Sequence, residues 1–318
     1  MPSTTNPNAP FEYSAELTAV ANAYTNEAFI AEMVVPHIRV NQEIFEYATI
    51  PKGTRFTIPD TYVGRMSQPN QVEFSQTLTE SRVVDYALDS PVPSRDVLQA
   101  PEGVNPEAFA AEHVAELIML SKEQKVSAMV FNANNYAAAN KATLSGTSQW
   151  SHSSSDPVKA ILTAMDGMIM RPNTMVIGQE VLTQLILHPK LVAAYQGNEG
   201  AYGKIPGVAW LANYFGLQRV FVGQAWYNAT TFGQDPSISR LWGKHAALLH
   251  YRPNAIPGKA TTWGGVFYWP QGGSAMFSGR INDPDMGARG GVRVRVGMSY
   301  KELVIASDFG YLFVNAVA

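Results

Sequence analysis

From Glu43 onward the residue pattern has a period of two, and this stretch constrains the fold more than any other. Ile44, Phe45, Tyr47 and Ile50 lead into a Pro51-Lys52-Gly53 turn, and Arg55-Phe56-Thr57-Ile58 returns from it. Val72-Glu73-Phe74 and Val83-Val84-Asp85-Tyr86 add strand material beyond a polar stretch, 59–71, punctuated by Pro and Gly. The pattern predicts an extended hairpin over roughly 43–88. A two-stranded hairpin standing alone is marginal in water, so this arm must lie on something. A second copy of the same chain could supply that surface.

The rest of the chain is patterned as a body. Apolar residues at helical spacing (Leu17, Val20, Ala21, Tyr24, Ala28) predict a helix over 17–33, stopped by Pro36. Asn105 is a good N-cap and Pro106 suits the first helical position. The helix they open runs over 106–131 without a Gly or Pro. It is about 40 Å long, with a stripe of Phe109 or Ala110, Val114, Leu117, Ile118, Val126, Met129 and Val130. Residues 132–148 read as a loop. Asp156-Pro157 repeats the start signal before Val158, Ile161, Leu162, Met165, Met168 and Ile169, and Arg171-Pro172-Asn173 stops this helix. A buried strand is expected over 174–178 and a helix over 179–187 that His188-Pro189 ends. A glycine-rich mobile loop is expected over 197–207, and a helix over 208–215 with Gly216 as its C′ residue. Strands follow over 219–222, 246–251 and 265–269. At the end Val292, Val294 and Val296 alternate with Arg293 and Arg295. Residues 303–306 and 311–314 form a closing hairpin about a 307–310 turn.

Composition narrows the function. Charged residues are 15% of the chain, against the usual ~25%. Such a surface is either committed to contacts or covered by uncharged Asn, Gln, Ser and Thr. The net charge of −3 gives the whole chain no electrostatic footprint for free nucleic acid. With no cysteine there is no disulfide framework and no thiolate site, which fits a cytoplasmic product. No signal peptide and no membrane-length apolar run are found, and residues 1–12 are expected to lack order without a partner.

No enzymatic frame emerges. His245 and His250 stand five apart and fit no ligand spacing. Asp283-Pro284-Asp285 lacks the further oxygens a calcium ion needs and reads as a turn. Gly264-Gly265 and Gly272-Gly273-Ser274 lack the frames of a phosphate loop or a nucleophile elbow and read as strand bends. Arg280, Arg289, Arg293 and Arg295 form the densest basic stretch. Three readings stay open for it: DNA phosphates, carboxylates of a neighbouring subunit, or a solvated strand face.

The order of these parts resembles the major capsid proteins of tailed bacteriophages, the Hong Kong ninety-seven type of fold. The resemblance runs from about Leu17 to the C-terminus. It is carried by Trp150-Ser151 through Ser155-Asp156-Pro157, by Arg171-Pro172-Asn173-Thr174-Met175-Val176-Ile177-Gly178, by His188-Pro189-Lys190, and by the strands over 295–317. It implies an α+β capsid fold with an N-terminal arm over 1–40 and an extended loop over 41–90. The peripheral lobe, with its spine helix, would be 91–155 with 281–318, and the axial lobe 156–280. The expected function is a major head protein that assembles as hexamers and pentamers into an icosahedral virion shell. That shell would enclose double-stranded DNA through weak non-specific contacts and be assembled in the host cytoplasm. Scaffold, portal and decoration proteins are its expected partners, with no membrane, cofactor, metal or catalytic residue. The alternative is an encapsulin-like compartment shell, which houses a cargo enzyme instead of a genome. No long scaffolding-like segment precedes the arm, so scaffolding would be separate, removed or unneeded. Some members link a loop Lys to an Asn covalently. Lys52 sits at the loop's turn, but a single Lys in a loop is usually just solvated, and the linkage is not carried over to it. The residues expected between subunits or facing DNA are Lys52, Arg55, Arg65, Arg289, Arg293 and Arg295.

Overall fold

The computed structural model describes residues 12–23, 26–49, 56–72, 77–197, 204–231, 233–253, 262–270 and 274–318. The expectations for residues 1–11, the 51–53 turn with Lys52, Arg55, the 73–74 strand material, most of the 197–207 loop and Gly272-Gly273 lie outside them. In chain order the elements begin with β1 (Glu12–Tyr13), α1 (Ala15–Ala23), α2 (Ala31–Val34), β2 (His37–Arg39), β3 (Ile44–Thr49), β4 (Thr77–Arg82) and β5 (Val84–Pro93). Next come α3 (Ser94–Gln99), α4 (Pro106–Val130), β6 (Lys141–Thr143), α5 (Pro157–Gly167), β7 (Thr174–Gly178), α6 (Gln179–Leu187), α7 (Pro189–Gln196) and α8 (Val208–Phe215). The last are β8 (Arg219–Gly223), β9 (Trp226–Asn228), β10 (Ile238–Arg240), β11 (Ala246–Leu249), β12 (Gly264–Trp269), β13 (Met276–Asp283), β14 (Gly291–Val304) and β15 (Gly310–Val314).

The first sheet is built on β14. One side of this 14-residue strand pairs with β5, and the other with β12 and then β13, which run end to end along it. β2 and β1 pair outside β12 and β13. One face of the sheet carries Val294, Val296, Met298 and Tyr300, all buried in a core shared with Ala111, Val114, Ala115 and Ile118 of α4. The Asn105 side chain accepts from the amides of Glu107 and Ala108, so the long helix starts where the sequence places it. Of the two residues offered for the start of its stripe Ala110 is the buried one and Phe109 is 70% exposed; Leu117 departs from the stripe at 38%, and Lys122 and Glu123 are buried.

The second sheet runs β6-β15-β11-β7-β8. Every residue of β7 and β11 is buried, which explains their unbroken apolar runs. Val176, Ala247 and Leu312 face the α4 core. Met175, Ile177, Leu248 and Phe313 face a second core made with α5, α6, α7, α8 and Trp150.

Five expectations are corrected. The helix over 17–33 is two helices, because the Glu123 carboxylate takes the amides of Ile30 and Ala31 and restarts the chain there. The strand partner of β3 is β4 and not 55–58, since residues 57 and 58 are not strand. Residues 84–93 leave the arm and join the first sheet. The 132–148 loop contains β6, held by parallel pairing to β15. The closing hairpin does not form, because β14 belongs to the first sheet and β15 to the second. The turn at 307–309 is a corner between two sheets. After His188 a further helix, α7, begins at Pro189, with His188 Nδ1 accepting from the Lys190 amide as its cap. Residues 264–269 and 276–280, placed in the axial lobe by the resemblance, lie in β12 and β13 of the first sheet, and residues 310–317, placed in the peripheral lobe, lie with the second.

Candidate assembly surfaces

β3 and β4 pair along their whole length and form the described part of the arm. Because side chains alternate across a strand, the arm has two faces. Phe45 and Tyr47 turn inward, and Phe45 stacks on the buried Phe267 at 4.7 Å. Val83, Ile38 and Val40 complete this small core, which fixes only the root. The outer face carries Ile44, 52% exposed, and Leu78, 61% exposed. Between them Glu46 lies directly opposite Glu80, both exposed. Beyond β3 the 56–72 segment exposes Phe56, Ile58, Tyr62, Val63, Met66 and Val72. Arg65 is exposed on this same segment.

The basic stretch resolves into pairs within the chain. Arg295 is opposite Asp89 in the β14–β5 register and holds its carboxylate with two bonds, 2.6 and 2.8 Å. Arg293 bridges Asp283 at 3.0 Å and Asp89 at 3.5 Å. The bond to Arg295 pulls the Asp89 carboxyl below its ordinary range. Arg280 pairs with Glu107 of α4. Asp283 also accepts the Asp285 amide, so Asp283-Pro284-Asp285 closes a turn. Thus the carboxylates facing Arg293 and Arg295 come from their own chain, a possibility outside the three readings made from sequence. Of the six expected site residues, Arg293 and Arg295 adjoin each other. Arg289 stands apart at the tip of the β13–β14 turn, exposed and with no carboxylate within ion-pairing distance among the described residues.

Sequence reasoning missed two features. One is the buried junction under the N-terminal segment. Glu123 accepts from the amides of Ile30 and Ala31 at 2.9 and 2.8 Å and from the Trp242 indole at 2.7 Å. Lys122 beside it, also buried, reaches Glu32 at 2.8 Å. A Lys-Glu pair inside a helix ordinarily reads as its wet face, and no local signal marks this one as buried. The other is Arg95, which lines a hollow with Arg289. Only the register of β5 on β14 brings the two together.

His245 Nδ1 accepts from the Asn315 amide, and His250 Nδ1 is 3.0 Å from the Arg171 carbonyl. Among the described residues no three His, Asp or Glu gather as metal ligands, and no helix is long and apolar enough to cross a membrane. What the molecule offers is surface.

Residues 106–234 match the family model described as phage major capsid protein E. The chain is 45% identical over 311 residues to the major capsid protein of Pseudomonas phage JBD67, covering 98% of this chain and 99% of that one. The chain belongs to the phage major capsid proteins. Its fold is shared with a phage-related protein from Bordetella bronchiseptica RB50 (TM-score 0.74, 20% identity, 96% and 98% of the two chains covered). It is also shared with the capsid of Cyanophage P-SCSP1u (TM-score 0.60, 10% identity, 92% and 89% covered). The α+β capsid fold expected from the resemblance is the fold observed. As a major capsid protein the chain is a structural component of the virion and not an enzyme, and copies of it form the head shell. The encapsulin-like alternative has less behind it, because the 45% identical relative is a phage capsid protein.

Proposed function

We propose that this major capsid protein builds an icosahedral shell of hexamers and pentamers around double-stranded DNA. Self-association is its whole mechanism. The extended loop, expected over 41–90 and ending in the arm at β4, lies on a neighbouring copy. The first sheet and the spine helix α4 form the rigid peripheral lobe. The second sheet with α5 to α8 forms the axial lobe, which closes rings by a heterologous contact. The observation that carries this reading is the arm. Among the described residues only its root packs on its own chain, and its outer face leaves Ile44 and Leu78 exposed. Binding energy in such an assembly is spread over many contacts. Scaffold, portal and decoration proteins remain the expected partners, with assembly in the host cytoplasm.

Among the basic residues, Arg293 and Arg295 are best read as stabilising the β5–β14 pairing, since Asp89 and Asp283 occupy them. The test is to express the full chain, alone and together with the proteins encoded beside it, and to image the product by negative-stain electron microscopy. Closed shells or five- and six-membered rings are expected. A monodisperse monomer under both conditions would overturn the proposal.

A further inference from the structure

Two exposed surfaces carry uncompensated charge of opposite sign, and we propose that they meet. The outer face of the β3–β4 arm of one copy docks on the α3–α4 junction of a second copy, with Glu46 and Glu80 against Arg95 and Arg289. This rests on the reading that the arm lies on a neighbour, and it assigns the surface that receives the arm.

On the arm, Glu46 and Glu80 are direct cross-strand partners. Like charges in that position repel. Arg39 lines the hollow beside them, yet no cation comes within ion-pairing distance of either carboxylate among the described residues. The pair is therefore a cost in the free chain, and cations from a partner would turn it into a gain. Ile44 and Leu78 flank it and leave apolar area uncovered.

On the body, Arg95 comes from α3 and Arg289 from the β13–β14 turn. The register sets Pro93 opposite Gly291, and the Ser94 amide donates to the Gly290 carbonyl at 3.0 Å. Arg95 and Arg289 then line one hollow of about 400 Å³ with Gln99 and Met286. Arg280, Arg293 and Arg295 have carboxylates of their own, whereas these two have none among the described residues. Asp96, also on α3, is exposed and does not line the hollow. The same stretch of chain exposes Val97 (43%), Leu98 (72%), Val104 (55%) and Phe109 (70%). Arginines beside large apolar side chains are the composition of an interface anchor. A DNA backbone would meet the arginines but leave Leu98 and Phe109 uncovered, so the arm fits better than a phosphate.

The absence of cysteine makes the contact directly testable. Particles carrying both Leu78→Cys and Leu98→Cys should give a ladder of covalent oligomers on mild oxidation, and each single variant none. Particles that form normally but give no ladder would overturn the assignment while leaving shell formation standing. Failure of the unsubstituted chain to form particles would count against the shell reading itself. In parallel, R95E/R289E should cut particle yield at least about tenfold, and adding E46K/E80K should restore it. Undiminished yield, or no rescue, contradicts the pairing. Undiminished yield with less packaged DNA would reassign the arginines to phosphate.

Discussion

The Glu123 carboxylate holds two backbone amides and an indole, and the N-terminal segment hangs on it. Glu123→Ala strands these donors in a buried site and should cost about 3 kcal/mol, read from the denaturant midpoint. Glu123→Gln, which keeps an acceptor, should cost less, and equal losses would contradict this role. Close by, burial first and then the Lys122 ammonium pull the His37 imidazole down to about 4. An unfolded chain takes up that proton near 6.5. The stability that neutral His37 contributes is therefore full above about 6.5 and drains as pH falls through 4, by roughly 3 kcal/mol. Glu32, which faces the same Lys122, is held below its ordinary value: burial pushes it up, and the ammonium outweighs that. Burial raises the Glu123 carboxyl, so its own contribution runs the other way and improves as acid protonates it. His37→Gln should flatten the acid limb of stability between pH 6.5 and 4. An unchanged limb would show that the imidazole does not govern it. Arg295→Gln removes a two-bond hold on Asp89 at a partly exposed site. It should cost only about 1 kcal/mol, with particle DNA content unchanged.

At the scale of elements, the ends of α4 and the close approaches between strands are the points to probe. Asn105→Ala removes the cap of α4 and should cost about 1 kcal/mol in thermal unfolding. Gly223, at the end of β8, lies against the Trp242 indole, where any Cβ would overlap the ring. Gly223→Ala should destabilise by about 2 kcal/mol through overpacking, and a neutral effect would mean the indole can move aside. These elements also show what a sequence makes legible. α4, α5, β7, α6 and α8 carry local signals: a cap, a Pro at the first position, an apolar period, or a Gly216 at φ 67°. β6, β9 and β10 are three residues each and owe their form to the strands they pair with, so no local pattern announces them. The closing hairpin failed as an expectation for the same reason. Both strands were readable, but the sheet each would join was not. The candidate site was legible only in part. The arm announced itself through its period of two, whereas the ion pairs of Arg293 and Arg295 and the nearness of Arg95 to Arg289 depend on strand register.

At the scale of the whole molecule, two facts join. The two sheets of the body share a buried core, while among the described residues the arm is covered at its root alone. A capsid protein divided this way keeps the fold of each copy separate from the contacts between copies, so changes on the arm's outer face should alter assembly and leave folding intact. The most direct test is amide hydrogen exchange on the full chain, before and after assembly, followed over β3 and β4 with β7 as the internal control. The account expects strong protection of residues 44–49 and 77–82 to appear only in the shell, with residues 174–178 equally protected in both states. Arm amides that exchange as fast in closed shells as in free subunits would contradict it.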